Sequence, residues 1–371
     1  MTTFDEAPTR RPFGVSTSHS PTRESAGTFT RTRMPSSTGG RTVGPFRGGA
    51  ARPSGTAGVR NATEVIAVVG DSNVANHIER NARAAGWRSD RVAIFGDTGT
   101  SLAERAPEVV RNASIVVVAT APGAHPTLSV LLADAVSPGS LVVLVPGAPG
   151  AAGELAAAIA HHAAEVVVAE TSWAPWQTMS DGTTVEVTVP LATAPSGDAA
   201  AVSARLSPLL RSVAAPSLTW SALHAPDVVI RTIPALLHAS GQEYATIGEA
   251  LDDPTVGRLV VELDDERQAI AAALRLDVPR TSDWLGTALG TEPTSLASAL
   301  GPLAQTTITQ SATKVGDEFD LMPFGLVPTL ALAEQACVEA PLTRSLIDQA
   351  DRLLGSDFRL GGRSAIDAVT S

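Results

Sequence analysis

Gly70, Ser72 and Ala75 occupy the three small-residue places of a G-x-G-x-x-G turn, just after the apolar run Val65–Val69. A glycine in the first place permits a tight turn. A small second residue lets the backbone approach a pyrophosphate, and a small third one lets the next helix pack on the strand. The Ser72 hydroxyl is expected to donate to a phosphate. Asn73, in the same turn, is a further candidate for the cofactor, ahead of the helical spacing of Asn76–Ala85. Asp97, about 20 residues past the turn, is the expected carboxylate for a ribose 2′-hydroxyl. It would repel a 2′-phosphate, so the expectation leans to NAD over NADP. His125 follows a later Pro-Gly loop and is a candidate contact to nicotinamide or substrate. Lys314 is the only lysine of the chain and a candidate carboxylate clamp or acid. No His, Asp or Glu spacing points to a metal site. The single cysteine, Cys337, excludes an internal disulfide and a cysteine-built zinc site.

These residues need a scaffold, and the apolar pattern supplies one. Strands are expected at Val65–Val69, Asp90–Asp97 and within Ala113–Pro126, Gly139–Gly150 and Ala164–Trp176. A sixth is expected in "TTVEVTVPLATAP", residues 183–195. Helical stretches separate the early ones, which predicts a parallel sheet with crossovers. Ligands in such sheets bind beyond the carboxyl ends of the strands. That places Ala121, in the loop after the third strand, near a dinucleotide, and Trp176, after the fifth, near a substrate. From about Leu206 helices dominate, at Ile233–Ser240, Val256–Leu274, Thr281–Gly290, Leu326–Val338 and Leu342–Leu354. The expected organisation is a tail at 1–60, an α/β Rossmann-type dinucleotide-binding domain at 61–204 and an all-α domain at 205–371.

Composition narrows the class further. A hydrophobic share of 44% over 371 residues is enough for real cores. Residues 1–60 hold nine arginines against Asp5, Glu6 and Glu24, a net +6; since the whole chain is −11, the remainder carries −17. An acidic body argues against nucleic acid as partner. The basic segment is rich in Ser, Thr, Pro and Gly, lacks apolar periodicity and reads as disordered. No apolar run approaches the roughly 18 residues of a membrane span, and no secretory h-region opens the chain. A soluble cytoplasmic protein with small-molecule partners and no membrane is expected, and a homodimer is compatible with this.

The segments "VVGDSN", "ATAPGAHPTL", "AETSWAPW", "PDVVIRTIPALLHASG" and "MPFGLVPTLALA" lie in an order and at spacings that resemble the octopine/nopaline (opine) dehydrogenases. The resemblance runs from about Glu64 to the end. It implies a helical domain of the 6-phosphogluconate dehydrogenase C-terminal type and reduction, by NADH or NADPH, of the imine between an amino acid and an α-keto acid. The family's proton-relay histidine lies in a segment resembling N-x-x-x-H-x-x-P-x-L-L-N-A. Here the asparagine is Asp227, the histidine Arg231 and the final asparagine His238. In a second segment, resembling R-Y-L-T-E-D-V-P-Y-G-L-V-P, the aspartate that pairs with the histidine falls on Leu321, with Asp320 beside it. The arginine falls on Gly316, with Lys314 two residues upstream.

Arginine stays charged at any ordinary pH, so Arg231 can clamp a carboxylate but cannot relay a proton. Asp227, four residues earlier, is its expected partner on one helix face. The replacement acid is then sought among His238, Lys314 and Asp320. Three functions stay open: an opine-type reductase with altered catalytic residues, a degenerate relative that binds nucleotide or a partner without turnover, and a hydroxyacid dehydrogenase-type enzyme using Lys314.

Overall fold

The computed structural model describes residues 64–363, apart from 71, 93–101, 163–164, 180, 243, 245, 293–294 and 301–316. The expectations for Asp97, Lys314 and the basic segment fall outside the described residues. Residues 1–59 and 60–371 divide into separate units, and every described element belongs to the second.

Nine strands form among the described residues: β1 Val65–Val69, β2 Arg88–Val92, β3 Ile115–Val118, β4 Leu141–Leu144, β5 Val167–Thr171, β6 Trp176–Thr178, β7 Thr184–Glu186, β8 Val189–Ala194 and β9 Ser212–Ala214. β1, β3 and β4 are runs of Val, Ile, Leu and Ala buried almost throughout, as strands covered on both faces must be. The sheet order is β2-β1-β3-β4-β5-β8-β9. β1 to β5 are parallel. Val69 pairs with Val92 and Val118, Val118 with Leu144, and Leu144 with Glu170, so the carboxyl ends lie level. The chain builds outward from β1 to β2 on one side and then starts β3 on the other. That reversal opens a crevice between β1 and β3.

Two expectations need correcting. The second strand starts at Arg88, two residues before the expected Asp90, and the expected end at Asp97 lies outside the described residues. The single sixth strand of residues 183–195 is two strands. β7 pairs with β6 as a separate hairpin, while β8 runs antiparallel beside β5. The break falls at Val187, whose amide donates to Pro175 O at 2.7 Å and ties the hairpin off. The sheet also continues past residue 204, to β9.

The helices are α1 Asn73–Ala84, α2 Leu102–Arg111, α3 His125–Ala135, α4 Ala151–Ala160, α5 Ala199–Leu206, α6 Leu218–His224, α7 Pro226–Ala239, α8 Ile247–Asp252, α9 Pro254–Ala273, α10 Thr281–Leu289, α11 Leu296–Ala299, α12 Val327–Gln335, α13 Pro341–Leu354 and α14 Phe358–Gly361. One apolar core covers the α1 face of the sheet and runs without a break into α7, α9, α12 and α13; α3 and α4 cover the other face. α7 starts seven residues earlier than expected, with Pro226 in its first turn, where a proline loses no helical bond. α9 buries Asp264, Glu266 and Arg267 on what looks in sequence like a solvent face. Asp264 pairs with Arg267 at 2.6 Å. Glu266 accepts from the amides of Leu342 and Thr343 and so caps α13. A π-helical turn, Met322–Leu326, precedes α12. Among the described residues no helix is long and apolar enough to cross a membrane.

Candidate active site

The Gly70 turn closes onto β3. Gly70 has φ +134°, and a Cβ there would lie 2.2 Å from Ala119 O, so the place admits glycine alone without movement. Ser72 caps α1: its Oγ accepts from Ala75 N at 3.3 Å and donates to Ala119 O at 2.9 Å. The hydroxyl proton therefore ties the turn to β3 instead of facing a phosphate. Asn73, exposed, is the first residue of α1, and Ala75 is fully buried against the sheet. Arg91 donates to Gly70 O at 2.9 Å and to Asn76 Oδ1 at 2.7 Å. Its role was not legible in sequence, because the side of β2 that meets the turn depends on strand register. Ala121, half-buried, caps the 3-10 turn Pro122–Ala124 across the crevice.

α7 lies beside the chain that leaves β5. Arg231 Nε donates to Asp227 Oδ1 at 3.0 Å, one turn back along the helix. Trp173 Nε1 donates to the same oxygen at 3.1 Å. Arg231 lines a narrow pocket with Trp173, Gln177, Ile230, Ile247 and Leu300. Trp176 is absent from that lining. It stacks on His77 of α1 with ring centroids 4.9 Å apart, so the tryptophan at Arg231 is Trp173. "AETSWAPW" offers both, and only the chain's irregular exit from β5 decides between them. His238 follows Arg231 by two turns; its Nδ1 is buried with no hydrogen-bond partner among the described residues. The turn Asp317–Asp320 packs between α7 and the 3-10 turn. There Asp320 accepts from Gly123 N at 2.7 Å. Leu321, half-buried, joins the apolar core.

Beneath the loops lie buried polar groups. His125 is 2% exposed, and neither ring nitrogen has a partner among the described residues. The start of α3 turns the ring inward in this structure. Burial, with a smaller effect of the Arg363 charge, lowers its pKa to about 3. His224 sits between Trp220 and Trp284, with Nδ1 2.8 Å from Ser172 Oγ. Burial, assisted by the charge of Arg267, lowers it to about 3 as well. Glu170, at the end of β5, is pushed up to about 7 by burial, against the opposing hydrogen bond from Ala152 N.

These groups set an acid limb for stability. Both histidines fold neutral, so their contribution is complete above the ordinary pKa of 6.5 and lost as pH falls toward 3. A tenfold change in proton affinity is worth about 1.4 kcal/mol, so the loss approaches ~4–5 kcal/mol per histidine. Glu170 acts in the opposite sense: its contribution is complete below 4.5 and lost as pH rises through about 7. With two histidines against one glutamate, stability should rise from acid to neutral pH. His125→Leu should reduce the slope of unfolding free energy against pH by about one proton between pH ~4 and ~6. An unchanged slope in urea titrations would mean that His125 is not a neutral buried ring.

A level-ended parallel sheet with a tight glycine turn at its reversal, closed over by helices, defines a dehydrogenase-type dinucleotide-binding architecture. Residues 214–354 match the family model for the alpha-helical domain of NAD/NADP octopine/nopaline dehydrogenases. An opine dehydrogenase of Arthrobacter sp. (strain 1C) is 26% identical over 269 residues, covering 69% of this chain and 75% of that protein. Octopine dehydrogenase solved with NADH and L-arginine superposes with a TM-score of 0.60 at 15% identity, covering 83% of this chain and 94% of that one. A PanE/ApbA family ketopantoate reductase from Ralstonia eutropha JMP134 superposes at 0.53 with 13% identity, over 78% and 98% of the two chains. The helical part thus matches the octopine/nopaline dehydrogenase model, and the chain is similar to an opine dehydrogenase over 69% of its length.

Proposed function

We propose that this protein is an NAD(P)H-dependent oxidoreductase of the opine dehydrogenase type, acting on the imine formed between an amino acid or amine and an α-keto acid. The observation that carries this is the Gly70 turn with the amino end of α1 at the strand reversal, to which the helical part adds the Asp227–Arg231 pair of α7. Octopine dehydrogenase has been solved with NADH and L-arginine and with NADH and pyruvate, an amino acid and an α-keto acid. The residues present fit a dinucleotide, since the glycine turn, the first-turn amides of α1 and Ala121 face one another across the strand reversal. Gly70, Ser72, Asn73, Ala75 and Ala121 would hold it, with Asp97 at its ribose. Ser72 shapes the turn there and does not grip a phosphate through its hydroxyl. When bound, the nicotinamide supplies a hydride.

Arg231 clamps the substrate carboxylate, oriented by Asp227, which Trp173 fixes in turn. A guanidinium is a donor that does not relay protons, so the proton for the imine nitrogen comes from another group. His238 is first in line, at roughly 10 Å along α7. Arg231→Lys keeps the charge and loses the fork. It should raise KM for the acid substrate about tenfold while nucleotide affinity holds; an unchanged KM removes Arg231 from the substrate site. A second reading, binding without turnover, is favoured by one observation: Arg231 and Asp320 both make bonds within the fold, to Asp227 and Gly123. Screening amino acid and keto acid pairs with NADH and NADPH separates the two, because saturable binding with no turnover on any pair supports the second.

A further inference from the structure

We propose that Arg363, just beyond α14, is a positioning residue that holds the β4–α4 loop for the nicotinamide half of the dinucleotide. This rests on the dinucleotide reading above. Arg363 Nε donates to Glu154 Oε2 at 2.6 Å in the first turn of α4, and Nη1 donates to Pro149 O at 3.0 Å in the loop before it. Its own amide donates to Pro323 O at 3.0 Å, and its guanidinium lies over the Phe324 ring at 5.0 Å. The side chain is 3% exposed, whereas Glu154 is 36% exposed. Burying a guanidinium this completely is costly unless its partners are well placed. Here they join three separate stretches of chain: the β4–α4 loop, the π-helical turn and the C-terminal segment.

The placement of those stretches gives the clamp its meaning. The helical segment that seats Arg363 also presents Asp320, which accepts from Gly123 N in the loop after β3. The helical part therefore fixes the loops after both β3 and β4. The Gly70 turn is held differently, by Ser72 on Ala119 O and by Arg91 on Gly70 O, all within the sheet layer. In a crevice at the strand reversal, a dinucleotide lays one mononucleotide on the β1–β2 side and the other on the β3–β4 side. Among the described residues, the adenosine side is thus tied within the sheet layer, and the nicotinamide side by Arg363 and Asp320. Beneath the β4–α4 loop, Gly147 presses on Glu170, where a Cβ would lie 2.6 Å from Glu170 Cβ. The loop is therefore seated on Glu170 at its start and fastened by Arg363 at Pro149 and Glu154, at its end.

The two halves of the ligand make the test. Calorimetry would compare NADH and NADPH with their adenosine fragments, ADP-ribose and its 2′-phosphate, on the full chain. Arg363→Met is expected to weaken the dinucleotide at least tenfold and to leave the matching fragment within about twofold, with Arg363→Lys intermediate. Equal weakening of dinucleotide and fragment, or no weakening of either, overturns the proposal. Should Arg363→Met not fold, Glu154→Gln keeps the guanidinium and its bond to Pro149 and loses only the ionic partner. It is expected to weaken the dinucleotide several-fold and spare the fragment, and an equal effect on both overturns the proposal. Wild type that binds none of the four ligands overturns the dinucleotide reading and this proposal together. Wild type that binds while Arg363→Met matches it overturns the proposal alone.

Discussion

Gly70→Val should abolish measurable dinucleotide binding at ordinary concentrations, with at least a tenfold rise in Kd, and should lower stability by about 3 kcal/mol or more. The cause is local and double. At φ +134° a branched side chain is strained. Its Cβ would also fall 2.2 Å from Ala119 O, so the turn must lift off β3 or β3 must yield. Lifting the turn breaks the bonds of Gly70 N to Val92 O and of Ser72 Oγ to Ala119 O. It also tilts the amino end of α1 away from the crevice. Chemical denaturation and calorimetry on one preparation read both effects. A Gly70→Val protein with wild-type affinity for NADH and NADPH would place the nucleotide elsewhere.

The second large effect concerns the catalytic pair. Arg231→His alone should give little opine-forming activity, because Leu321 offers the new ring no carboxylate. An imidazole needs such a partner to fix its tautomer and stabilise its charged form. Asp227 is four residues away on the same helix, and Trp173 already donates to its Oδ1. Asp320 is occupied by Gly123 N. Arg231→His with Leu321→Asp should exceed the single variant at least tenfold in kcat/KM, since α7 packs against the turns that carry residues 320 and 321. Wild type turning over common amino acid and keto acid pairs at ordinary enzyme rates would show that another residue, His238 first, already supplies the proton. The double variant would then add nothing.

The legible part of this fold was its repeated physics. Val65–Val69, Ile115–Val118 and Leu141–Leu144 are apolar on both faces and are the buried strands. Gly70 and Ala75 announced the turn and the close helix packing through their small size. Asp227 and Arg231 pair because four residues span one helical turn. The illegible part depends on long-range register. Nothing local marks Val187 as the end of a hairpin, and nothing local chooses Trp173 over Trp176. His125 looks like a loop histidine, but the start of α3 turns it inward to a 2% exposed position. Ser72 was legible as small and polar, but which way its hydroxyl points depends on β3 lying alongside. Arg363 carries no signal at all until segments far apart in the chain meet around it.

The proposed ligand of this crevice is a nicotinamide dinucleotide. The most direct measurement is a fluorescence titration of the full-length wild-type protein with NADH and with NADPH, with Gly70→Val alongside. Saturable one-site binding of at least one of them is the expected result, in the micromolar range typical of such sites at about −7 to −8 kcal/mol. Gly70→Val is expected to lose that binding. Failure of both dinucleotides to bind a folded wild type at concentrations approaching ~1 mM would contradict the claim.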